Sequence, residues 1–337
     1  MSVRDHAIPG DRERRPRCFR PAEGLLLLAA LASCGAPGRE PPDAAWRAPF
    51  VVPRNSFFHA SLEVPPMQSA EVLPEDVSML DMRLDFARSR EREHEDGVPQ
   101  GFEGLFEEWA AVTLRQGLSD RWEIGARTTL EGWNEHQDHF SLVDANGNAL
   151  VTHEQVTIDE TGASSRHMGV GEVTLQAKRE LSDRGPWTLA GLGVLKVPVG
   201  RPRDLNNAGT WDLSAGLLAT HEPCLPTDAT WHLNAGVGAP LGSQDLFVHG
   251  TPAEIVPFAF ASVGATWPVT DATVMGVQLE GNTSAFQHVP LMDGDPVTIF
   301  GGARTLSGGW IFEYGLGTGL NESAYDWALH LGASRVF

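Results

Sequence analysis

Two stretches of the chain place a histidine two residues before a serine: His59-Ala60-Ser61 and His139-Phe140-Ser141. An imidazole beside a hydroxyl is the core of a hydrolytic site, provided a third group orients the base. No orienting group can be identified, and two occurrences in one chain show how unspecific the spacing is. No catalytic residue is assigned, and the chain reads as a non-enzyme. The stretch 134–170 gathers His136, Asp138, His139, His153 and His167. His136 and His139, with Glu135 and Asp138, could hold a divalent cation. Two histidines three apart on a loop fit a solvated surface better, so no metal is expected. Asp144-Ala145-Asn146-Gly147-Asn148 is calcium-loop-like in composition only. Its glycine is misplaced, and Gln155 stands where a bidentate glutamate is required. An Asn-Gly hairpin turn accounts for it. There is no phosphate loop, dinucleotide fingerprint or zinc-protease helix, and no cofactor is expected.

A larger polar set is spread along the chain: Asp81, Arg83, Asp85, Arg115, Glu123, Arg127, Glu131, Glu172, Lys178, Glu180, Lys196, Glu280, Arg304 and Glu313. Its members alternate with apolar neighbours. Leu80, Met82, Leu84 and Phe86 interleave with Asp81, Arg83 and Asp85. Trp122, Ile124, Ala126, Thr128 and Leu130 interleave with Glu123, Arg127 and Glu131. Val173, Leu175 and Ala177 interleave with Glu172, Thr174, Gln176 and Lys178. A period of two is a strand signal, so the charges share one face of a sheet.

A soluble sandwich also alternates, and the connections separate the two cases. Strands are expected at residues 79–89, 105–118, 121–133, 171–181, 187–198, 210–222, 229–240, 257–269, 273–285, 297–306, 309–318 and 326–337. The links between them are short and long in strict turn, for example Ser119-Asp120 and then 134–170. Tight turns at one end, long loops at the other and an even strand count are the pattern of a transmembrane barrel. The expected fold is therefore all-β: an antiparallel up-and-down transmembrane β-barrel of about twelve strands, or fourteen. The fourteen charges would face its lumen.

Trp122, Trp187, Trp231, Trp267 and Trp310 each lie within three residues of a short turn. They are expected to form an aromatic girdle where hydrocarbon meets headgroups. Trp109, Trp211 and Trp327 begin strands after long loops and would form a second belt. The last strand ends on Phe337, with Trp327, Leu329, Leu331 and Ala333 on one face. This resembles the C-terminal signature read by the barrel assembly machinery, which makes Phe337 the expected assembly signal. Arg335 departs from that signature, although a charge near the interface costs little.

The N-terminus is of another kind. Six arginines, from Arg4 to Arg20, precede the apolar run Leu25–Ala32. Small residues follow, the layout of a secretory signal over residues 1–34. Ala30-Leu31-Ala32 suits ordinary cleavage, whereas Leu31-Ala32-Ser33-Cys34 resembles a lipobox that would lipidate Cys34. Residues 35–78 are expected as a periplasmic or lumen-associated segment, with the barrel over 79–337. Beyond the leader Cys224 is alone, which excludes an intramolecular disulfide. The net charge of −19 makes a nucleic-acid partner unexpected.

Three segments carry a family resemblance: Arg54-Asn55-Ser56 to Pro65-Pro66; Gly169-Val170-Gly171-Glu172-Val173 to Leu181, closing on Lys196-Val197-Pro198-Val199-Gly200; and Leu320-Asn321-Glu322 with Tyr325-Asp326-Trp327 and Phe337. Together they resemble an uncharacterised Gram-negative outer-membrane β-barrel family, domain of unknown function 3187. The resemblance implies a fold and a place in the cell outer membrane, not a chemistry. The reading that follows is a porin-like passive channel for small polar solutes, with outer-membrane lipid and the assembly machinery as partners. A closed structural or surface-interaction barrel is the alternative, and an outer-membrane lipid hydrolase using one of the His-x-Ser pairs is a third.

Overall fold

The structure is a computed structural model that describes residues 41, 43–51, 64–89, 105–135, 141–143, 149–152, 165–183, 185–199, 210–222, 229–241, 254–287, 294–321 and 323–337. Twelve long strands are numbered here in chain order: β1 Ser78–Ser89, β2 Leu105–Ser119, β3 Trp122–Glu135, β4 Ser165–Ser182, β5 Trp187–Pro198, β6 Trp211–His221, β7 Thr230–Leu241, β8 Phe258–Thr270, β9 Thr273–Asn282, β10 Val297–Ser307, β11 Trp310–Gly319 and β12 Trp327–Val336. Each pairs antiparallel with its neighbours in sequence, and β1 pairs with β12, so the sheet closes into an up-and-down barrel. The seam runs from Met79 opposite Val336 to Arg88 opposite Trp327. Phe337 extends it by donating its N–H to the Ser78 carbonyl at 2.8 Å. Closure satisfies every edge, a requirement where no water is available to the backbone. Two small ribbons, Ser141–Val143 with Ala149–Thr152 and Glu254–Ile255 with Phe286–Gln287, lie outside the barrel sheet.

Turn chemistry sets the registers. Gly308 and Gly309 link β10 to β11 with φ of 60° and 78°, the positive values that a tight primed hairpin turn demands. The β2–β3 and β8–β9 turns lack positive φ, and each has a register shift beside it, at Gly117/Ser119 and at Pro268/Thr270. Pro268 has no N–H to give a ladder, so the irregular position suits it.

The outward face is apolar all the way round. Leu217, Val237 and Leu316 are 66%, 60% and 64% exposed, and Leu114, Leu213, Ile124 and Val277 are exposed as well. An apolar surface this extensive is unfavourable in water and matched to lipid. Among the described residues no helix is long and apolar enough to cross a membrane; the strands make the crossing. Trp122, Trp187 and Trp231 are exposed near the short turns, while Trp267 and Trp310 are half-buried there. Trp211 and Trp327 are exposed at the opposite end. Trp109 corrects the expected second belt: it points inward, is 6% exposed, and packs edge-on against Tyr325 at 5.6 Å. Its place in the strand phase, between the outward Ala110 and Glu108, overrides its height on the barrel. Arg335 stacks over Trp310 at 5.2 Å and Phe337 at 5.6 Å. These cation–π contacts keep its charge at the interface.

Candidate functional site

The fourteen charges singled out above all lie on the face opposite the exposed apolar residues. Ten are buried, and Arg83, Arg115, Arg127 and Glu180 are half-buried. Most of them form groups along β1–β4 and β10–β12. Arg115 Nε donates to Asp81 Oδ2 at 3.1 Å, and Arg115 Nη1 lies 3.8 Å from Glu123 Oε1. The other Glu123 oxygen is 3.3 Å from Lys178 Nζ. Arg127 Nη2 reaches Glu172 Oε1 at 3.2 Å. Arg304 Nε pairs with Glu313, whose Oε1 is 2.6 Å from His330 Nε2; the other ring nitrogen contacts Asp85. On β5 and β6, next to β4, Lys196 Nζ meets Asp212 Oδ2 at 2.5 Å, both at 0% exposure. Glu131 accepts from Thr129 Oγ1, and Glu280 accepts from Gln278 Nε2, each at 2.9 Å. Glu180 stays near the short-turn mouth, outside these groups.

The wall formed by β5–β9 differs. Leu192, Val194 and Leu218 pack with Ala70, and Phe258 and Phe260 lie over glycines. A Cβ at Gly236 would fall 2.3 Å from the Ala215 carbonyl oxygen and 2.4 Å from Phe260 Cζ, so only glycine lets the ring lie flat on the sheet.

Between the two walls run the described parts of the chain before β1, residues 43–51 and 64–77. Its carbonyl groups are held by wall side chains. Thr266 Oγ1 donates to the Arg47 oxygen at 2.8 Å, with His232 Nε2 3.0 Å from the same oxygen. Arg304 donates to the oxygens of Ala48 and Pro49, the latter at 2.7 Å. Gln278 Nε2 donates to Phe50 at 2.9 Å, and Lys178 Nζ lies 3.4 Å from the Ser69 oxygen. In the other direction, the N–H groups of Ala70 and Leu73 donate to Thr220 Oγ1 and Glu123 Oε2, each at 2.9 Å. Phe50 packs against Phe300, with ring centroids 5.6 Å apart. At the short-turn end Ala45, Leu73 and Val77 join Met79, Ile311 and Val336 in an apolar cluster. Gly117 lets the segment pass: a Cβ there would sit 2.0 Å from the Pro74 oxygen. Segment and charged wall together line a cavity of about 70 Å³, room for a few waters or one small ion.

Glu71, on this inner segment, faces Glu222 at the short-turn rim. Burial, then a hydrogen bond to Glu222 and repulsion by it, push the Glu71 carboxyl up from 4.5 to about 7, against the pull of Ser69 and Lys178. A raised carboxyl favours the docked segment in its protonated form. Its contribution is complete below pH 4.5 and is lost as pH rises through about 7. A spin label at the exposed position 75 is therefore expected to loosen between pH 5 and pH 8, on the order of the shift named. Glu71→Gln should hold the label immobile across that range, and an unchanged pH profile in this variant would refute the assignment.

Several polar residues at the centre of these groups were not singled out in the sequence. His330, Asp212 and His232 are all fully or nearly fully buried. Each sits on the inward phase of its strand, so the alternation of β6, β7 and β12 was the available signal. His59, Ser61, His136, Asp138, His139, His153, the 144–148 turn, Cys224 and the leader with Cys34 lie outside the described residues, as does the side chain of His167.

A closed twelve-stranded antiparallel barrel with an apolar exterior and a charged interior defines a transmembrane barrel of the outer-membrane type. Among solved structures the chain is similar to the COG4313 outer membrane channel from Pseudomonas putida F1, with a TM-score of 0.60 and 17% identity over 82% of this chain and 100% of that one. It also matches the NanC porin (TM-score 0.46, 9% identity, 76% and 98% of the two chains) and the KdgM porin (0.43, 8%, 77% and 99%). At these identities the likeness is one of fold. No family model and no curated protein matches the chain.

Proposed function

We propose that the protein is a passive, porin-like channel for small polar solutes, closed in this conformation by the segment that precedes β1. The manner in which the lumen is filled carries the reading. The wall of β1–β4 and β10–β12 is charged in its own right. The space beside it is taken up by non-strand chain, tied through its carbonyl groups to Thr266, His232, Arg304 and Gln278. A small barrel built to be solid fills its interior with side chains from its own strands; here the filling is a separable piece. The resemblance to a channel fold agrees with this. Full burial of Lys196, Asp212 and His330 favours the second reading, a permanently closed structural or surface-interaction barrel. Buried charges that are paired are as well suited to sealing a lumen as to lining one.

The same proposal takes residues 1–34 as a cleaved leader, Cys34 as a candidate lipidation site, and Phe337 as the signal for the assembly machinery. It also takes the chain as a non-enzyme member of the domain of unknown function 3187 family. These parts rest on the sequence. Single-channel recording of the refolded protein in a planar bilayer is the test. Discrete, reproducible steps, brief in the intact chain, are expected. A correctly inserted barrel that stays silent with and without its inner segment would sink the channel reading.

A further inference from the structure

We propose that the cavity beside Arg83 is a binding subsite for a small carboxylate anion. The proposal names the solute class of the channel reading and rests on that reading for its purpose, while the site itself belongs to the folded barrel.

Arg83 lies midway along β1 on the inward face and lines the cavity of about 70 Å³, large enough for a small anion. The acids around it are Asp81, Asp85 and Glu313, and all three are committed elsewhere. Asp81 takes Arg115 Nε on Oδ2 at 3.1 Å and Ser334 Oγ on Oδ1 at 2.7 Å. Glu313 is shared between Arg304 and His330, and Asp85 contacts His330. Among the described residues the Arg83 guanidinium has neither a hydrogen bond nor an ion pair, only the longer-range field of those acids and the opposing field of Arg115. A cation withdrawn from bulk water without a contact partner is costly, and a planar fork of donors matches a carboxylate.

The neighbours leave room for such a partner. Gly332 stands directly between Arg83 and Glu313 in the ladder, and Ala111 stands on the other side of Arg83. A Cβ at Gly332 would already be 3.2 Å from Glu313 Cβ, so the row is open where a side chain would close it. The inner segment lines the cavity with Ala48, Val51 and Met67, which offer apolar surface to a short alkyl group, and also with Gln68, Ser69 and Glu71. Glu71, Asp81, Glu123 and Glu313 also line the cavity, each with a side-chain contact of its own, whereas Arg83 brings a guanidinium with no contact acid among the described residues.

Equilibrium dialysis of radiolabelled acetate against the detergent-solubilised protein tests the proposal without requiring conduction. Saturable binding is expected, weakened roughly 10- to 100-fold in Arg83→Gln, the range for loss of a charge-assisted hydrogen-bond pair. Arg179→Gln, on the outward face of β4, should bind as the parent does. Arg83→Lys keeps the charge without the fork and should fall between; it also serves if the glutamine variant loses the heat-modifiable gel mobility of a folded barrel. No saturable binding by the parent, equal binding in Arg83→Gln, or displacement by chloride at concentrations equal to acetate would each overturn the carboxylate assignment. A barrel that is silent in bilayers but binds acetate would defeat the channel reading and leave the subsite standing.

Discussion

Deleting residues 41–73 should convert a closed barrel into an open pore, raising the ionic current across a planar bilayer by on the order of tenfold or more, since a twelve-strand barrel cleared of its filling is wide enough for a pore. The described part of this segment lies between the wall of β1–β4 and β10–β12 and that of β5–β9, and the cavity it lines together with the first has a volume of about 70 Å³. The barrel itself should survive. Its twelve strands close through their own ladders, and Ser78, where β1 begins, keeps its pairing with Phe337. Wall groups that lose a carbonyl partner, such as Gln278 and Thr266, would gain water in an opened lumen, so their loss costs little. The loss of the apolar cluster of Ala45, Leu73 and Val77 with Ile311 and Val336 is the main stability penalty and falls at the short-turn end. Heat-modifiable mobility separates a folded, silent variant from an unfolded one. A folded deletion that conducts no more than the intact chain would mean that the walls close on themselves, and the structural reading would then stand.

The second large effect is on stability. Lys196 and Asp212 are both fully buried, 2.5 Å apart. Lys196→Met would take from the Asp212 carboxylate the ammonium 2.5 Å away, in a site withdrawn from water. Breaking such a pair from one side costs about 3–5 kcal/mol. The double change Lys196→Met with Asp212→Leu should recover most of that loss, because two well-packed apolar side chains can replace a buried pair at little net cost. Urea unfolding in lipid vesicles, followed by tryptophan fluorescence, measures both variants. A single variant within about 1 kcal/mol of the parent, the scale of an exposed pair, would show that water reaches this pair and that the lumen is wetter than its burial implies.

The alternation of Asp81, Arg83 and Asp85 with Leu80, Met82 and Leu84, repeated strand by strand, was enough to place the charges on the inward face. Alternation is a local property: successive side chains of a strand point to opposite sides whatever the strand pairs with. The rhythm of short and long links then yields the up-and-down order and the count of twelve, because an antiparallel meander needs a tight turn at one end of each hairpin. Trp109 shows where position along a strand misleads: it lies at belt height, but its phase turns it inward against Tyr325.

Which charge meets which was not legible. Lys178 reaches the Ser69 carbonyl 109 residues away, and Arg304 reaches Pro49 at a separation of 255. Asp85, Glu313 and His330 come from three different strands. These contacts depend on closure, which brings β12 back beside β1, and on the inner segment lying in the lumen, where low-polarity surroundings select partners by geometry. Arg83, with Asp81 and Asp85 two positions away on its own strand, reads as the better placed of the two inward arginines to pair, whereas Arg115 has Thr113 and Gly117 in those positions. Only the closed barrel commits Asp81 to Arg115 and Ser334 and leaves Arg83 facing a cavity, because the space beside Gly332 exists only once β1, β11 and β12 are side by side.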